Sequence, residues 1–95
     1  MCANDRMALG VMAAARDLGV EVPQELSVLG FDNIAASLYV RPSITTVESP
    51  GHRAGEEAMR IMLMILEGKE PPRRTVLPTQ LIVRQSTSRA PEKTE

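Results

Sequence analysis

The sequence predicts an incomplete α/β fold, in which a parallel sheet is flanked by helices. One observation is the stretch Ser27-Val28-Leu29-Gly30-Phe31, where four of five residues are apolar or glycine. Strands without polar alternation are typical of parallel sheets that are covered on both faces. The other is a helical pattern over residues 6–18, which separates this strand (residues 26–31) from an earlier strand that ends at Asn4. Strand, helix and strand in this order form one βαβ unit.

The first predicted helix, over residues 6–18, is bounded by a capping pair and a glycine. Asn4 and Asp5 are of the residue types that cap helix N-termini, and Gly19 can adopt the positive φ that ends a helix. The spacing predicts a main apolar face with a second set of apolar residues beside it. The main face is Met7, Val11, Ala14 and Leu18, and Ala8, Met12 and Ala15 lie beside it.

The second half of the chain predicts a helical turn, two short strands and one longer helix. Residues 34–38 suit a helical turn, and the β-branched residues 44–47 suit a strand. A helix is expected over residues 50–67, with Ser49 as its cap, Pro50 as its first residue and Gly68 beyond its end. Its apolar face comprises Ala54, Ala58, Ile61, Met62, Ile65 and Leu66. A final strand over residues 75–83 is interrupted by Pro78, and the polar residues 88–95 are expected to form a disordered tail.

Polar side chains follow both predicted strands of the βαβ unit. Asn4 ends the first strand, and Asp32 and Asn33 end the second. Neighbouring strands lie about 4.8 Å apart, and ligands of open α/β sheets bind beyond the carboxyl ends of the strands. The side chains of Asn4 and Asp32 are therefore expected to face one small molecule. The alternative is that these residues only form a turn or cap a helix.

Composition argues against several classes of function. The formal net charge is −1 without a basic stripe, which is unlike a surface that binds duplex DNA. The single cysteine, Cys2, gives no disulfide framework, and the absence of a long apolar run or signal peptide favours a cytoplasmic protein without a membrane segment. His52 is the only histidine, so no catalytic triad or multi-histidine metal site is expected. We predict no enzyme activity, no metal and no cofactor.

Four stretches together resemble the carboxyl-terminal part of the lactose-repressor/galactose-repressor (LacI/GalR) family of transcription regulators. They are Cys2-Ala3-Asn4-Asp5-Arg6-Met7-Ala8-Leu9-Gly10, Val22-Pro23 through Asn33, Pro42-Ser43-Ile44-Thr45-Thr46-Val47, and Leu77-Pro78-Thr79-Gln80-Leu81-Ile82-Val83-Arg84-Gln85-Ser86-Thr87. Their order and spacing match the family over residues 2–87.

This resemblance implies part of a type I periplasmic-binding-protein-like fold, in which two α/β lobes enclose an effector. Residues 1–44 would belong to the carboxyl-terminal lobe, and residues 81–87 would return to it. Residues 45–80 would supply crossing segments and one helix of the amino-terminal lobe. The helix-turn-helix that binds DNA in this family is missing from these residues.

The resemblance also assigns roles to individual residues. Asn4 and Asp32 match positions that hydrogen-bond a sugar or nucleobase. Leu9 and Tyr39 match the family's homodimer interface, and Leu9 lies off the predicted apolar face of its helix; alternatively, Leu9 is a core residue and Tyr39 an ordinary surface aromatic. The implied function is effector sensing and dimerisation in a transcription regulator. A dimerisation fragment without a ligand, or a piece of a sugar-binding transport protein, are the alternatives.

Overall fold

The computed structural model describes residues 1–90, which divide into two compact units. The first unit contains Met1–Glu48 and the segment from Gln80 onward, and the second is Ser49–Thr79. The helices and strands, in chain order, are α1 (Asp5–Asp17), α2 (Ala35–Tyr39), β1 (Thr46–Glu48), α3 (Gly51–Leu66) and β2 (Gln80–Ile82).

Helix α1 begins and ends close to where its capping residues predict. Asn4 is the N-cap, and its Oδ1 accepts a hydrogen bond of 2.9 Å from the backbone N–H of Met7. At the other end the chain passes through Leu18 into Gly19, which has a φ of 71°. Glycine adopts this conformation without the steric cost that a Cβ imposes. The predicted helix over residues 6–18 is thus displaced by one residue.

The predicted main apolar face of α1 is wrong. Met7 is 57% exposed, Val11 36% and Leu18 79%, and Ala14 is exposed as well. The buried side of the helix instead carries the residues that were expected to lie beside that face. They are Ala8 and Ala15, both buried, and Met12, which is half-buried.

A charged residue explains this rotation of the helix. Asp5 is fully buried, and together with Ala8, Met12 and Ala15 it follows the spacing of one helix face. A hydrophobicity pattern assigns aspartate to the solvent side, and therefore it could not identify the face that Asp5 begins.

The strand predicted over residues 26–31 is present only as a short parallel connection. Leu29 forms an isolated parallel bridge with Thr45, and the N–H of Gly30 donates to the carbonyl of Thr45 at 2.9 Å. Earlier in the stretch the chain has other partners, since the N–H of Leu26 bonds to Glu21 in a turn. Leu26 is 42% exposed, so the expectation of burial on both faces fails there.

The regular sheet of the first unit consists of two short antiparallel strands. β1 pairs with β2 so that Thr46 lies opposite Ile82. Both strands are shorter than their predicted ranges, 44–47 and 75–83. Next to β1, the N–H of Thr45 is bonded to the hydroxyl of Ser86 at 2.9 Å rather than to a backbone carbonyl. Side-chain hydroxyls thus replace part of the ladder that a longer strand would form.

A polar cluster accompanies the small apolar core of this unit. Ala8, Val28 and Ile44 form the buried apolar cluster. The carboxylate of Asp5 accepts hydrogen bonds from three donors on two other segments. These donors are the hydroxyl of Ser37 at 2.5 Å, the hydroxyl of Thr46 at 2.7 Å and the N–H of Ile34 at 3.0 Å. Three donors compensate the desolvation that an unpaired buried carboxylate would suffer.

The second unit is built on α3. The helix is one residue shorter at each end than the predicted range 50–67, and its N-cap lies one residue after the predicted Ser49. Pro50 occupies the N-cap position without a side-chain cap, and the carbonyl of Ser49 accepts the N–H of Gly51. Gly68, with a φ of 77°, follows the helix end as predicted. No residue of α3 is buried, and none of the helices in residues 1–90 is long and apolar enough to cross a membrane.

One surface ion pair on α3 perturbs its members. Arg60 donates to Glu57 at 2.6 Å, one turn away. This hydrogen bond lowers the pKa of the Glu57 carboxyl below its usual range and raises that of Arg60. Both groups lie at the surface, where solvent and salt screen such pairs, so this pair does not define a site.

Of the predicted tail over residues 88–95, the structure describes residues 88–90. Ser88 is held to the first unit, because its N–H donates to the hydroxyl of Ser27 and its own hydroxyl donates to the carbonyl of Pro23, both at 3.1 Å. Residues 91–95 lie outside the described residues.

Gly30 tests the packing around Asp5. A Cβ on Gly30 would lie 2.1 Å from Oδ1 of Asp5, so we expect Gly30→Ala to lower the free energy of unfolding by about 1–3 kcal/mol. Gly10→Ala is the matched control, since Gly10 lies within α1 with open space around it and should gain about 0.5–1 kcal/mol. Urea titrations of both variants measure the difference; equal effects would refute the close contact.

Candidate ligand site

Asn4 and Asp32 lie at the ends of neighbouring parallel segments. The N–H of Cys2 donates to the carbonyl of Leu29 at 2.8 Å, and the N–H of Asp5 donates to the carbonyl of Phe31 at 2.9 Å. Two bonds in this register mean that the chain runs in the same direction on both sides of the pairing. The structure therefore brings Asn4 and Asp32 to the same edge, as the βαβ interpretation predicts.

Asn4 combines its cap with a remaining donor group. Its Oδ1 is engaged by the N–H of Met7 at the start of α1. The carboxamide also carries an NH₂ group with two donors, and the residue is half-buried. The cap fixes the orientation of the side chain and leaves its NH₂ group as the remaining donor.

Asp32 is exposed and occupies a turn. Its φ is 110°, the following Asn33 has a φ of 57°, and its own N–H donates to the carbonyl of Val47 at 2.9 Å. The hypothesis that Asp32 and Asn33 form a turn is therefore correct for their backbone. The capping reading is not, because the N-cap of α2 is Ile34 and no side chain bonds there. Asp32 is an exposed residue that follows the segment paired with that of Asn4.

Arg84 contacts the turn that carries Asp32, and the sequence did not reveal this contact. One guanidinium nitrogen, Nη2, donates to Oδ1 of Asn33 at 2.6 Å, and Nη1 donates to the carbonyl of Ile44 at 3.2 Å. An arginine after a strand is ordinarily a solvent-exposed residue, so only the three-dimensional contact identifies it. Arg84 is half-buried and joins the segment after β2 to the turn at Asp32.

Leu9 and Tyr39 differ in their surroundings. Leu9 is half-buried and packs against the apolar cluster of Ala8, Val28 and Ile44. Tyr39, the last residue of α2, is 76% exposed. Tyr39 therefore has the free surface that an interface residue needs, and Leu9 has only part of it.

Among the residues that the structure describes, the single histidine and the single cysteine have no grouping that suggests a catalytic or metal site. His52 is exposed on α3, and its Nε2 lies 2.8 Å from Oε1 of Glu56. Cys2 is a half-buried free thiol that packs against the apolar cluster. Within residues 1–90, no three histidine, cysteine or acidic side chains are grouped so that they could hold a metal ion.

A shallow cavity of about 210 Å³ lies between α1 and two loop segments. Its lining includes none of the residues predicted to bind a ligand. The lining residues are Met12, Ala15, Arg16, Val20, Val22, Arg41 and Pro42. This cavity is therefore not the site that the sequence indicates.

Comparison with known proteins identifies the family to which nearly all of this chain is similar. Residues 1–87 match the model of the periplasmic binding protein-like domain. The HTH-type transcriptional repressor PurR of Vibrio vulnificus (strain CMCP6) is 37% identical over 89 residues, which is 93% of this chain and 27% of that protein. The chain thus spans about a quarter of the length of the curated relatives it matches.

Solved structures of transcription regulators share the fold. The lac repressor dimer bound to operator and the anti-inducer ONPF superposes with a TM-score of 0.84 and 32% identity, over 90% of this chain and 30% of that one. The complex of the regulator CelR with cellobiose gives a TM-score of 0.81 and 33% identity, over 88% and 26%. The predicted fold class is confirmed, with helices and a small sheet representing part of the periplasmic-binding-protein-like fold.

The matched family model, the curated relatives and the solved structures all point to one family. The chain belongs to the LacI/GalR family of transcription regulators and represents part of the periplasmic-binding-protein-like domain of that family.

Proposed function

We propose that this chain is the effector-sensing and dimerisation part of a cytoplasmic transcription regulator. A small sugar-like or nucleobase-like molecule binds between two lobes and controls DNA binding by a helix-turn-helix outside these residues. The observation that carries the proposal is the shared edge, where parallel backbone pairing brings Asn4 and the exposed Asp32 together.

The chemistry of this edge suits a small polyol or heterocyclic ring. An ionised carboxylate accepts from two hydroxyl or ring N–H groups, and such charge-assisted bonds are shorter and stronger than neutral ones. The NH₂ group of Asn4 supplies a donor for an oxygen or ring nitrogen of the same molecule. With an acceptor on Asp32 and a donor on Asn4, the edge favours ligands whose own donors and acceptors are arranged in the matching order.

The relatives support this ligand class and the regulatory role. One similar structure contains cellobiose, and another is a repressor bound to its operator. The formal net charge of −1 fits a segment that does not itself contact DNA. We propose no catalytic activity, metal or cofactor. The first unit corresponds in this proposal to the carboxyl-terminal lobe, and Ser49–Thr79 contributes to the other lobe.

A homodimer is the second part of the proposal, with Leu9 and Tyr39 in the interface. Tyr39 offers a largely exposed aromatic ring, and aromatic residues are enriched in interfaces. The apolar residues of α1 that turned out to be exposed add further surface, among them Met7 and Leu18. This same surface favours the alternative function, a dimerisation module that never meets a ligand.

The ligand proposal is tested by Asp32→Ala in a two-lobed protein that carries this segment. Loss of a charge-assisted bond of about 1.5–3 kcal/mol should weaken effector binding about ten- to a hundred-fold. A thermal-shift screen of mono- and disaccharides and of nucleobases identifies the effector, and titration calorimetry measures the affinity. Asp17→Ala, another exposed carboxylate of the same unit, should leave the affinity unchanged. Unchanged affinity in Asp32→Ala, with a lowered melting temperature, would leave only the turn role.

The dimer proposal is tested by Tyr39→Asp in the 95-residue chain. A buried charge in place of an interface aromatic should weaken self-association about ten- to thirty-fold. Val76→Asp is the control, since Val76 is 72% exposed and lies in a loop of the other unit. Sedimentation equilibrium separates the two results. Equal association of both variants with the unchanged chain would exclude Tyr39 from the interface.

A further inference from the structure

The turn that carries Asp32 has a backbone conformation that needs support. Asp32 and Asn33 have φ values of 110° and 57°, and neither is glycine. Residues with a Cβ rarely adopt positive φ, and this conformation is maintained where surrounding contacts hold the residue in place. Asparagine tolerates the left-handed region better than most residues, whereas the φ of Asp32 lies outside it.

Two contacts hold Asn33 from opposite ends of the residue. Its side-chain Oδ1 accepts the 2.6 Å hydrogen bond from Nη2 of Arg84, and its backbone N–H donates to the hydroxyl of Thr46 at 3.3 Å. The first is shorter than an ordinary neutral hydrogen bond, as expected when the donor is charged.

Arg84 has other hydrogen bonds that hold it in place, so it can restrain the position of Asn33. Its backbone N–H donates to the hydroxyl of Thr45 at 2.9 Å, and its Nη1 donates to the carbonyl of the fully buried Ile44 at 3.2 Å. The planar guanidinium thus reaches two acceptors from one rigid fork. Lysine has a single ammonium group on a flexible stem and cannot reproduce this arrangement.

We infer that Arg84 is a positioning residue for the effector site. It holds Asn33 in the left-handed conformation and thereby sets the place of Asp32, although it does not itself contact the ligand. The inference rests on the ligand role proposed for Asp32. Because Arg84 lies two residues beyond β2, the same contact ties the turn to the strand that pairs with β1. The Arg84 side chain thus adds a direct connection from that segment to the turn, beside the backbone bond of Asp32 to Val47 in β1.

The test is nuclear magnetic resonance of the ligand-free 95-residue chain and its Arg84→Lys variant. A residue with φ near 57° shows a strong intraresidue amide-to-Hα nuclear Overhauser effect, and we expect Asn33 to lose it in the variant. The resonances of α1 should stay in place, which shows that the unit remains folded. Arg89→Lys replaces another described arginine and should leave the signals of Asp32 and Asn33 unchanged.

Asn33→Gly provides the second variant. It removes the acceptor while glycine still permits positive φ. The Nη2 protons of Arg84, expected as separate signals in the unchanged chain at low temperature, should shift when their acceptor is lost, while the Nη1 bond to the carbonyl of Ile44 remains. In this background Arg84→Lys should cause no further shift at residue 32.

Two results would overturn the inference. One is an unchanged Asn33 signal in Arg84→Lys, and the other is an unchanged Arg84 signal in Asn33→Gly, which decides the matter even if the lysine variant does not fold. Neither measurement uses a ligand. A failure here is thus distinguishable from a failure of the ligand role of Asp32, which appears only in the affinity of Asp32→Ala.

Discussion

The buried carboxylate of Asp5 is the constraint on which the first unit depends. It starts α1 and accepts hydrogen bonds from Ile34 and Ser37 around α2 and from Thr46 in β1. A charge without these donors would be costly to bury, so the three segments must assemble around it together. With an apolar core that consists largely of alanine, valine and isoleucine, this polar contact fixes positions that packing alone would leave loose.

The same contact places the candidate site. Asp5 follows Asn4 directly, and Ile34 follows the turn of Asp32 and Asn33, so the carboxylate holds both predicted ligand residues through their chain neighbours. Thr46 extends the connection, because its hydroxyl donates to Asp5 and also accepts the N–H of Asn33. The site is thus built on polar contacts, with the close approach of Gly30 leaving room for Oδ1 of Asp5.

Sequence patterns predicted the parts of this architecture that depend on local chemistry. The caps and the glycines gave the helix ends to within one residue, and strand order gave the shared edge of Asn4 and Asp32. The buried face of α1 was missed because it begins with Asp5, and aspartate is ordinarily found on the surface. Arg84 was missed because its partner, Asn33, lies 51 residues away in the sequence. The lobe assignment and the interface role of Leu9 and Tyr39 stay predictions.

The most direct test of the role of Asp5 is a double-mutant cycle with Asp5→Ala and Thr46→Val, followed by urea denaturation. If the carboxylate holds β1 to α1, the two substitutions share one interaction, and their coupling energy should be about 1–3 kcal/mol. Asp5→Ala paired with Thr87→Val is the control, since the Thr87 hydroxyl bonds to Thr45 at 2.7 Å, and this pair should be additive within about 0.5 kcal/mol. Additivity of Asp5→Ala with Thr46→Val to the same degree would contradict the account.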